Sequence, residues 1–197
     1  MTKLCFGGSF NPIHCGHLIC ARHAAERLGF SSVALIPNAQ PPHKPDATDL
    51  AAAPHRVRMC HLAVANCDGF EVNDLETKRT GPSYTIDTAR ELKRQGWDKV
   101  SWLIGADMVR NLPTWHEPDA LMAEVEFVVL ARPGWAFDWE TLPAPFRKLR
   151  EHVVEAPLIQ ISATEIRRRV ASGLSIDFLT PEPVVRYIRE TGLYRAC

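Results

Sequence analysis

The chain has 197 residues, 46% of them hydrophobic and 23% charged, the profile of an ordinary globular domain with a real core and not of a disordered segment. Lys plus Arg and Asp plus Glu each number 23, so the formal net charge is zero; a nucleic-acid-binding protein carries a basic excess, and that class is set aside. No apolar run exceeds about five residues, far short of the roughly 20 of a membrane span, and no signal-peptide core stands at the N-terminus.

The first elements carry the strongest signal. Leu4 to Phe6 reads as a strand, followed by Gly7-Gly8, a Ser-Phe-Asn-Pro turn and then His14-Cys-Gly-His17. The histidines open an amphipathic helix with apolar residues at Leu18, Ala21, Ala25 and Leu28. Strand, glycine turn and helix form the βα unit at which α/β proteins hold phosphates, because the helix start offers unpaired N–H groups and a positive dipole end. Gly7 and Gly8 are expected to let a ligand approach the backbone. The turn fits neither the dinucleotide fingerprint nor the Walker A pattern.

Val33 to Ile36 reads as a second strand, leading into Pro37-Asn-Ala-Gln-Pro-Pro-His-Lys-Pro45. Prolines pre-extend that loop, so His43 and Lys44 stand on a stiff, positively charged finger. Pro54 begins a helix to about Asn66, Phe70 to Asn73 is a short strand, and Tyr84 to Arg94 is a helix preceded by Gly81-Pro82-Ser83. That second helix start is either another small anion site or a simple cap by Ser83. Val100 to Gly105 is a strand, and residues 106–123 form a helical patch and loop holding Asp107, Trp115 and His116. Val125 to Ala131 reads as a central buried strand, closed by Arg132-Pro-Gly134. Residues 135–149 read as loop plus a short helix. Val153-Val154 and Leu158 to Ile161 are short strands, and helices start at Ser162 and Pro181. Alternating strands and helices predict a doubly wound parallel α/β sheet of the Rossmann-like kind with right-handed crossovers. The chain is read as one domain over 1–197 whose C-terminal part, from about residue 162, is helical.

Several residue groups point to chemistry. Two histidines directly after the glycine turn can hydrogen-bond phosphate oxygens and stabilise charge in a phosphoryl-type transition state. A zinc reading of His14, Cys15 and His17 is weaker, because three adjacent donors do not surround a tetrahedral ion and no second pair has ligand spacing. Ser162-x-x-Glu165 is a capping box. Arg167, Arg168 and Arg169 follow it closely, against the dipole preference, so Arg167 is a candidate for a docked polyanion, while Arg168 and Arg169 also fit a solvated face. Trp115 is either core or a stacking platform for a flat ring. No nucleophile–base arrangement indicates covalent catalysis. The six cysteines are scattered without a C-x-x-C pair, so free thiols and a cytoplasmic location are expected.

Gly7-Gly-Ser-Phe-Asn-Pro-Ile-His-Cys-Gly-His17 together with Ile161-Ser-Ala-Thr-Glu-Ile-Arg167 resembles the H-x-G-H nucleotidyltransferase superfamily. Leu35-Ile-Pro with Pro41-Pro-His-Lys44, Gly81 to Thr88, Ile104 to Asp107, Leu112 to Trp115, Ala131 to Gly134, and Ile176 to Leu179 with Val184 to Leu193 and Tyr194 are similar, within it, to the bacterial nicotinate-nucleotide adenylyltransferase family. Ala163 departs from the family pattern, where a second serine is common. The resemblance implies transfer of the adenylyl group of ATP to nicotinate mononucleotide by direct in-line attack, giving deamido-NAD and pyrophosphate. It implies catalytic roles for His14, His17, Lys44 and Arg167, and ATP contacts from Gly7, Gly8, Ser9, Phe10, Ser162 and Thr164. It places nicotinate mononucleotide at Ser83, Tyr84, Thr85, Asp107, Trp115 and Arg132. Mg²⁺ would arrive carried with ATP, with no metal ligands of the protein's own, and neither nucleic acid nor membrane is an expected partner. The oligomeric state stays open. The alternatives are an adenylyltransferase for another acceptor, such as nicotinamide mononucleotide, and a non-catalytic nucleotide sensor.

Overall fold

The computed structural model describes residues 2–42 and 49–195. Six strands, β1 (Lys3–Gly8), β2 (Ser32–Pro37), β3 (Phe70–Val72), β4 (Ser101–Gly105), β5 (Glu126–Ala131) and β6 (Val153–Glu155), form one sheet in the order β3-β2-β1-β4-β5-β6. Every pairing is parallel. Chain order reverses between β1 and β4, so a crevice opens where these strands end, as the doubly wound topology requires.

The helices are α1 (Cys15–Leu28), α2 (Ala53–Val64), α3 (Thr85–Arg94), α4 (Pro118–Glu124), α5 (Ala144–Arg147), α6 (Ala163–Ala171) and α7 (Glu182–Thr191). Short 3₁₀ turns cover Leu75–Lys78, Ala106–Thr114, Trp139–Thr141 and Lys148–His152. Successive strand side chains point to opposite faces, and the core divides accordingly. Leu4, Val33, Leu35, Leu103 and Val128 face Ala21 and Ala25 of α1, Met59 and Cys60 of α2, Ile166 of α6 and Val184 and Ile188 of α7. Cys5, Ile36, Trp102, Ile104, Phe127 and Val129 face Ile86 and Leu92 of α3, Leu121 of α4 and Phe146 of α5.

The expected elements are present apart from one strand. Leu158 to Ile161 pairs with nothing, and the chain runs without regular structure from residue 156 to the start of α6. Leu158 is 66% exposed, while Ile159 packs towards Gly16 at the start of α1 and Ile161 joins the α1 side of the core. That alternation is real, but it buries residues against a helix instead of extending the sheet. β5 lies one strand inward from the β6 edge, with Glu126 exposed at its start. The 135–149 segment holds a 3₁₀ turn and the short α5. Among the described residues no helix is long and apolar enough to cross a membrane, and the five described cysteines are free thiols.

Candidate active site

The glycine turn is built by close packing. A Cβ placed on Gly7 would lie 2.4 Å from Trp102 Cζ2, and one on Gly8 would lie 3.2 Å from Phe10 Cζ. The missing side chains thus make room for two aromatic rings of the protein itself, while the backbones of both glycines still line the crevice. Phe10 takes a left-handed φ of 44°, an uncommon conformation for a bulky residue that the surrounding packing must hold. Its ring is 2% exposed and stands edge-on to Phe6 and His17, so it props the histidine from below and offers no face to a ligand.

His14 and His17 form an unusual cap. His14 is the N-cap of α1; its Nδ1 accepts the His17 N–H at 3.3 Å, and the His14 N–H donates back to His17 Nδ1 at 3.3 Å. The two imidazoles substitute for the Ser and Glu of a capping box and stack with centroids 3.6 Å apart. Since each Nδ1 accepts, the proton of each neutral ring is assigned to Nε2, leaving Nε2–H as the donor for a ligand. Burial pushes the His14 pKa down to about 4. Burial and then the neighbouring His14 hold His17 well below its ordinary value. Both rings are therefore neutral donors at neutral pH.

A cleft of about 510 Å³ opens at the ends of β1 and β4; Phe6, edge-on to His17, lines it, while His14, His17 and Phe10 themselves are not among its lining residues. Gly7, Gly8 and Ser9 line it on one side, and Ser83, Tyr84, Thr85, Thr114, Trp115 and His116 on the other. Ser83 does not cap α3. Its hydroxyl accepts the Ala39 N–H at 2.9 Å and donates to Glu76, and no side chain caps the α3 start at Tyr84. The first N–H groups of α3 are thus left to a ligand in the cleft. Trp115 packs edge-on against Phe127, and the neighbouring His116 ring stacks on Tyr84 at 4.1 Å. Glu117 follows with a φ of 48°, its carboxylate gripped by both terminal nitrogens of Arg90.

The remaining candidates spread around this centre. Ser162 caps α6 by accepting the Glu165 N–H at 3.2 Å, but Glu165 turns to Arg168 instead of closing the box. Arg168 and Arg169 fall in the last turn of the nine-residue α6, where the dipole favours cations, so they fit the solvated-face reading. Arg167 turns inward and donates to the Asn11 carbonyl at 2.9 Å, pairs with Asp49 and touches Thr164 Oγ1 at 3.5 Å. This group borders a second, more open depression with Ala51 and Tyr194. Asp107 is exposed, its carboxylate against Gly105 at the cleft rim. Arg132 is exposed and acts on Cys20 of α1; neither Asp107 nor Arg132 is among the cleft-lining residues. Lys44 and His43 lie outside the described residues. Among the described residues, no group of three or more His, Cys, Asp and Glu is arranged to hold a metal ion.

Three buried polar residues were not singled out from sequence. Asn11 fastens the turn to residues 49–51, donating to the Asp49 carbonyl and accepting from the Ala51 N–H and the Tyr194 hydroxyl. Glu76 is 4% exposed; burial raises its pKa, and hydroxyls of Thr88 and Ser83 donate to it. Arg56 is 1% exposed. Its signal was in the sequence: Arg56, Met59, Cys60 and Ala63 share the i, i+3, i+4, i+7 stripe that α2 buries, and an arginine there must find internal partners.

A parallel sheet reversing at a glycine turn, with a neutral histidine pair at the adjoining helix start, defines a nucleotide-handling α/β protein of the nucleotidyltransferase class. The chain belongs to the cytidylyltransferase-like family, whose family model matches residues 5–169, and within it to the nicotinate-nucleotide adenylyltransferases. A relative from Thermomicrobium roseum, named a probable nicotinate-nucleotide adenylyltransferase, is 41% identical over 193 residues, covering 96% of this chain and 90% of its own. One of the same name from Geobacillus thermodenitrificans is 44% identical over 192 residues, covering 97% and 85%. Among solved structures, the Plasmodium falciparum nicotinic acid mononucleotide adenylyltransferase complexed with NaAD superposes with a TM-score of 0.75 over 98% of each chain at 18% identity. That likeness is one of fold.

Proposed function

We propose that this protein joins ATP and nicotinate mononucleotide to give deamido-NAD and pyrophosphate. The observation that carries the reading is the His14–His17 cap, because it leaves two neutral Nε2–H donors at the start of α1, where His17 packs against Phe6 on the wall of a cleft whose far side is an uncapped helix start next to an indole. The 5′-phosphate oxygen of nicotinate mononucleotide attacks the α-phosphorus of ATP. The bond from that phosphorus to the bridging oxygen breaks, and pyrophosphate leaves with its Mg²⁺. The nucleophile is already an anion, so no base is required, and catalysis consists of positioning and charge neutralisation. His14 and His17 donate to the phosphates. Arg167 exchanges Asp49 for phosphate oxygens, and the charge of Lys44 adds to the neutralisation of the phosphates. Gly7, Gly8, Ser9, Ser162 and Thr164 complete the nucleotide side, with Phe10 supporting it from beneath. Mg²⁺ belongs to the ATP substrate.

On the acceptor side the nicotinate ring stacks on Trp115, and its carboxylate meets the backbone around Tyr84 and Thr85, an anion at the positive, side-chain-uncapped start of α3. Ser83 shapes that end from behind, with Asp107 towards the rim; Arg132, which acts on Cys20 of α1, stands apart from this pocket. A neutral amide gains less there than a carboxylate does. The test is pyrophosphate release from ATP and Mg²⁺ with either nicotinate or nicotinamide mononucleotide. Strong preference for the acid is expected; equal rates would remove the helix-end account of selectivity, and release with neither would remove the function.

A further inference from the structure

Arg56 is a buried residue whose contacts reach the glycine turn and the loop after β2 at once. Its Nε donates to the Ala51 carbonyl at 2.8 Å, and its terminal nitrogens donate to the Ser9 carbonyl at 2.8 Å, Asn38 Oδ1 at 3.2 Å and the Ala39 carbonyl at 3.1 Å. Among the described residues no carboxylate pairs with it; every partner is an uncharged oxygen. The planar fork fixes those oxygens relative to one another, which a compact ammonium does not do.

The segment Asn38–Gln40 is tied in both directions. Towards the nucleotide side, the Asn38 N–H donates to the Gly8 carbonyl at 3.1 Å and Asn38 Nδ2 to Ser9 Oγ at 3.3 Å. Towards the acceptor side, the Ala39 N–H donates to Ser83 Oγ at 2.9 Å and the Ser83 N–H to the Gln40 carbonyl at 2.9 Å. Ser83 then donates to buried Glu76, which the Thr88 hydroxyl of α3 also reaches at 2.6 Å. A continuous set of hydrogen bonds therefore runs from Gly8 and Ser9 through Asn38–Gln40 to the start of α3, with Arg56 clamping its middle. Such a set transmits a shift at one end to the other because a packed network does not deform gradually.

We propose that Arg56 is a positioning residue that couples the two halves of the cleft, so that a nucleotide held at Gly8–Ser9 fixes the α3 start for the acceptor. The inference rests on the two-substrate reading of the cleft. Binding coupling is reciprocal and measurable. Calorimetry gives the Kd of nicotinate mononucleotide with and without a non-hydrolysable ATP analogue and Mg²⁺, for the wild type, Arg56→Lys and Asn38→Ala. The analogue should tighten acceptor binding in the wild type by about fivefold or more, and both variants should bring that factor close to one and lower kcat at saturation. Met59→Ala, a core change on the same helix, should keep the wild-type factor despite a lower Tm. Coupling absent in the wild type, or unchanged in folded Arg56→Lys or Asn38→Ala, overturns the inference while leaving the activity standing. A wild type that neither binds nor adenylates nicotinate mononucleotide overturns the functional reading itself and the inference with it.

Discussion

At the scale of single residues, the histidine pair does two jobs that substitution can separate. His17→Ala removes one preorganised donor and should lower kcat by about 10²-fold or more. It also removes the acceptor for the His14 N–H, a capping loss of about 1 kcal/mol, so rates must be compared per folded molecule; wild-type turnover would exclude phosphate stabilisation by this ring. His14→Asn should likewise lose activity while keeping a good N-cap. The same pair sets an acid limit on stability. The fold holds His14 at about 4 against an ordinary 6.5, so between those values the unfolded chain takes up a proton that the native state refuses. Stability is complete above pH 6.5 and falls as the pH drops towards 4, by about 3 kcal/mol for His14, with His17 adding in the same direction. Urea midpoints at pH 7.5 and 5 should therefore converge in His14→Asn relative to the wild type. Equal pH dependence in both proteins would mean His14 is not the group responsible.

At the scale of elements, Gly7→Ala tests how β1 meets β4. The added methyl would sit 2.4 Å from the Trp102 ring, and forcing it in should cost about 1–3 kcal/mol. Gly8→Ala meets the Phe10 ring at 3.2 Å and should cost less; the reverse order in denaturant midpoints would refute this packing account. The sheet, its order of strands and helices, and the glycine–histidine turn were legible because apolar runs ended by glycine and proline have a local signature. The use of those glycines was not, because Trp102 lies on another strand and its contact with Gly7 exists only after the sheet forms. Leu158–Ile161 shows the converse. An alternating apolar pattern tells that one side is buried and not whether a strand or a helix covers it. For the site, the N-cap at Ser162 was visible locally, whereas the turning of Ser83 towards Ala39 and the burial of Arg56 and Glu76 depend on partners distant in sequence.

At the scale of the molecule, the C-terminal part is welded to the glycine turn. The Cys15 N–H donates to the Leu179 carbonyl at 3.0 Å, the Thr180 hydroxyl to the Ile13 carbonyl at 2.8 Å and the Tyr194 hydroxyl to Asn11 at 2.7 Å. Ile166, Ile176, Val184, Val185 and Ile188, each at most 2% exposed, complete the face that Leu4, Val33 and Leu35 present. Burying five such side chains contributes roughly 10 kcal/mol, comparable with the whole stability of a typical domain, about 5–15 kcal/mol. We therefore infer one cooperative unit in which the histidine cap and α7 melt together. Far-UV circular dichroism and tryptophan fluorescence should report a single coincident thermal transition, and a chain ending at Ile161 should not fold. A cooperative transition in that shortened chain would divide the protein into two units, and the start of α1 would then owe its geometry to β1 and the turn alone.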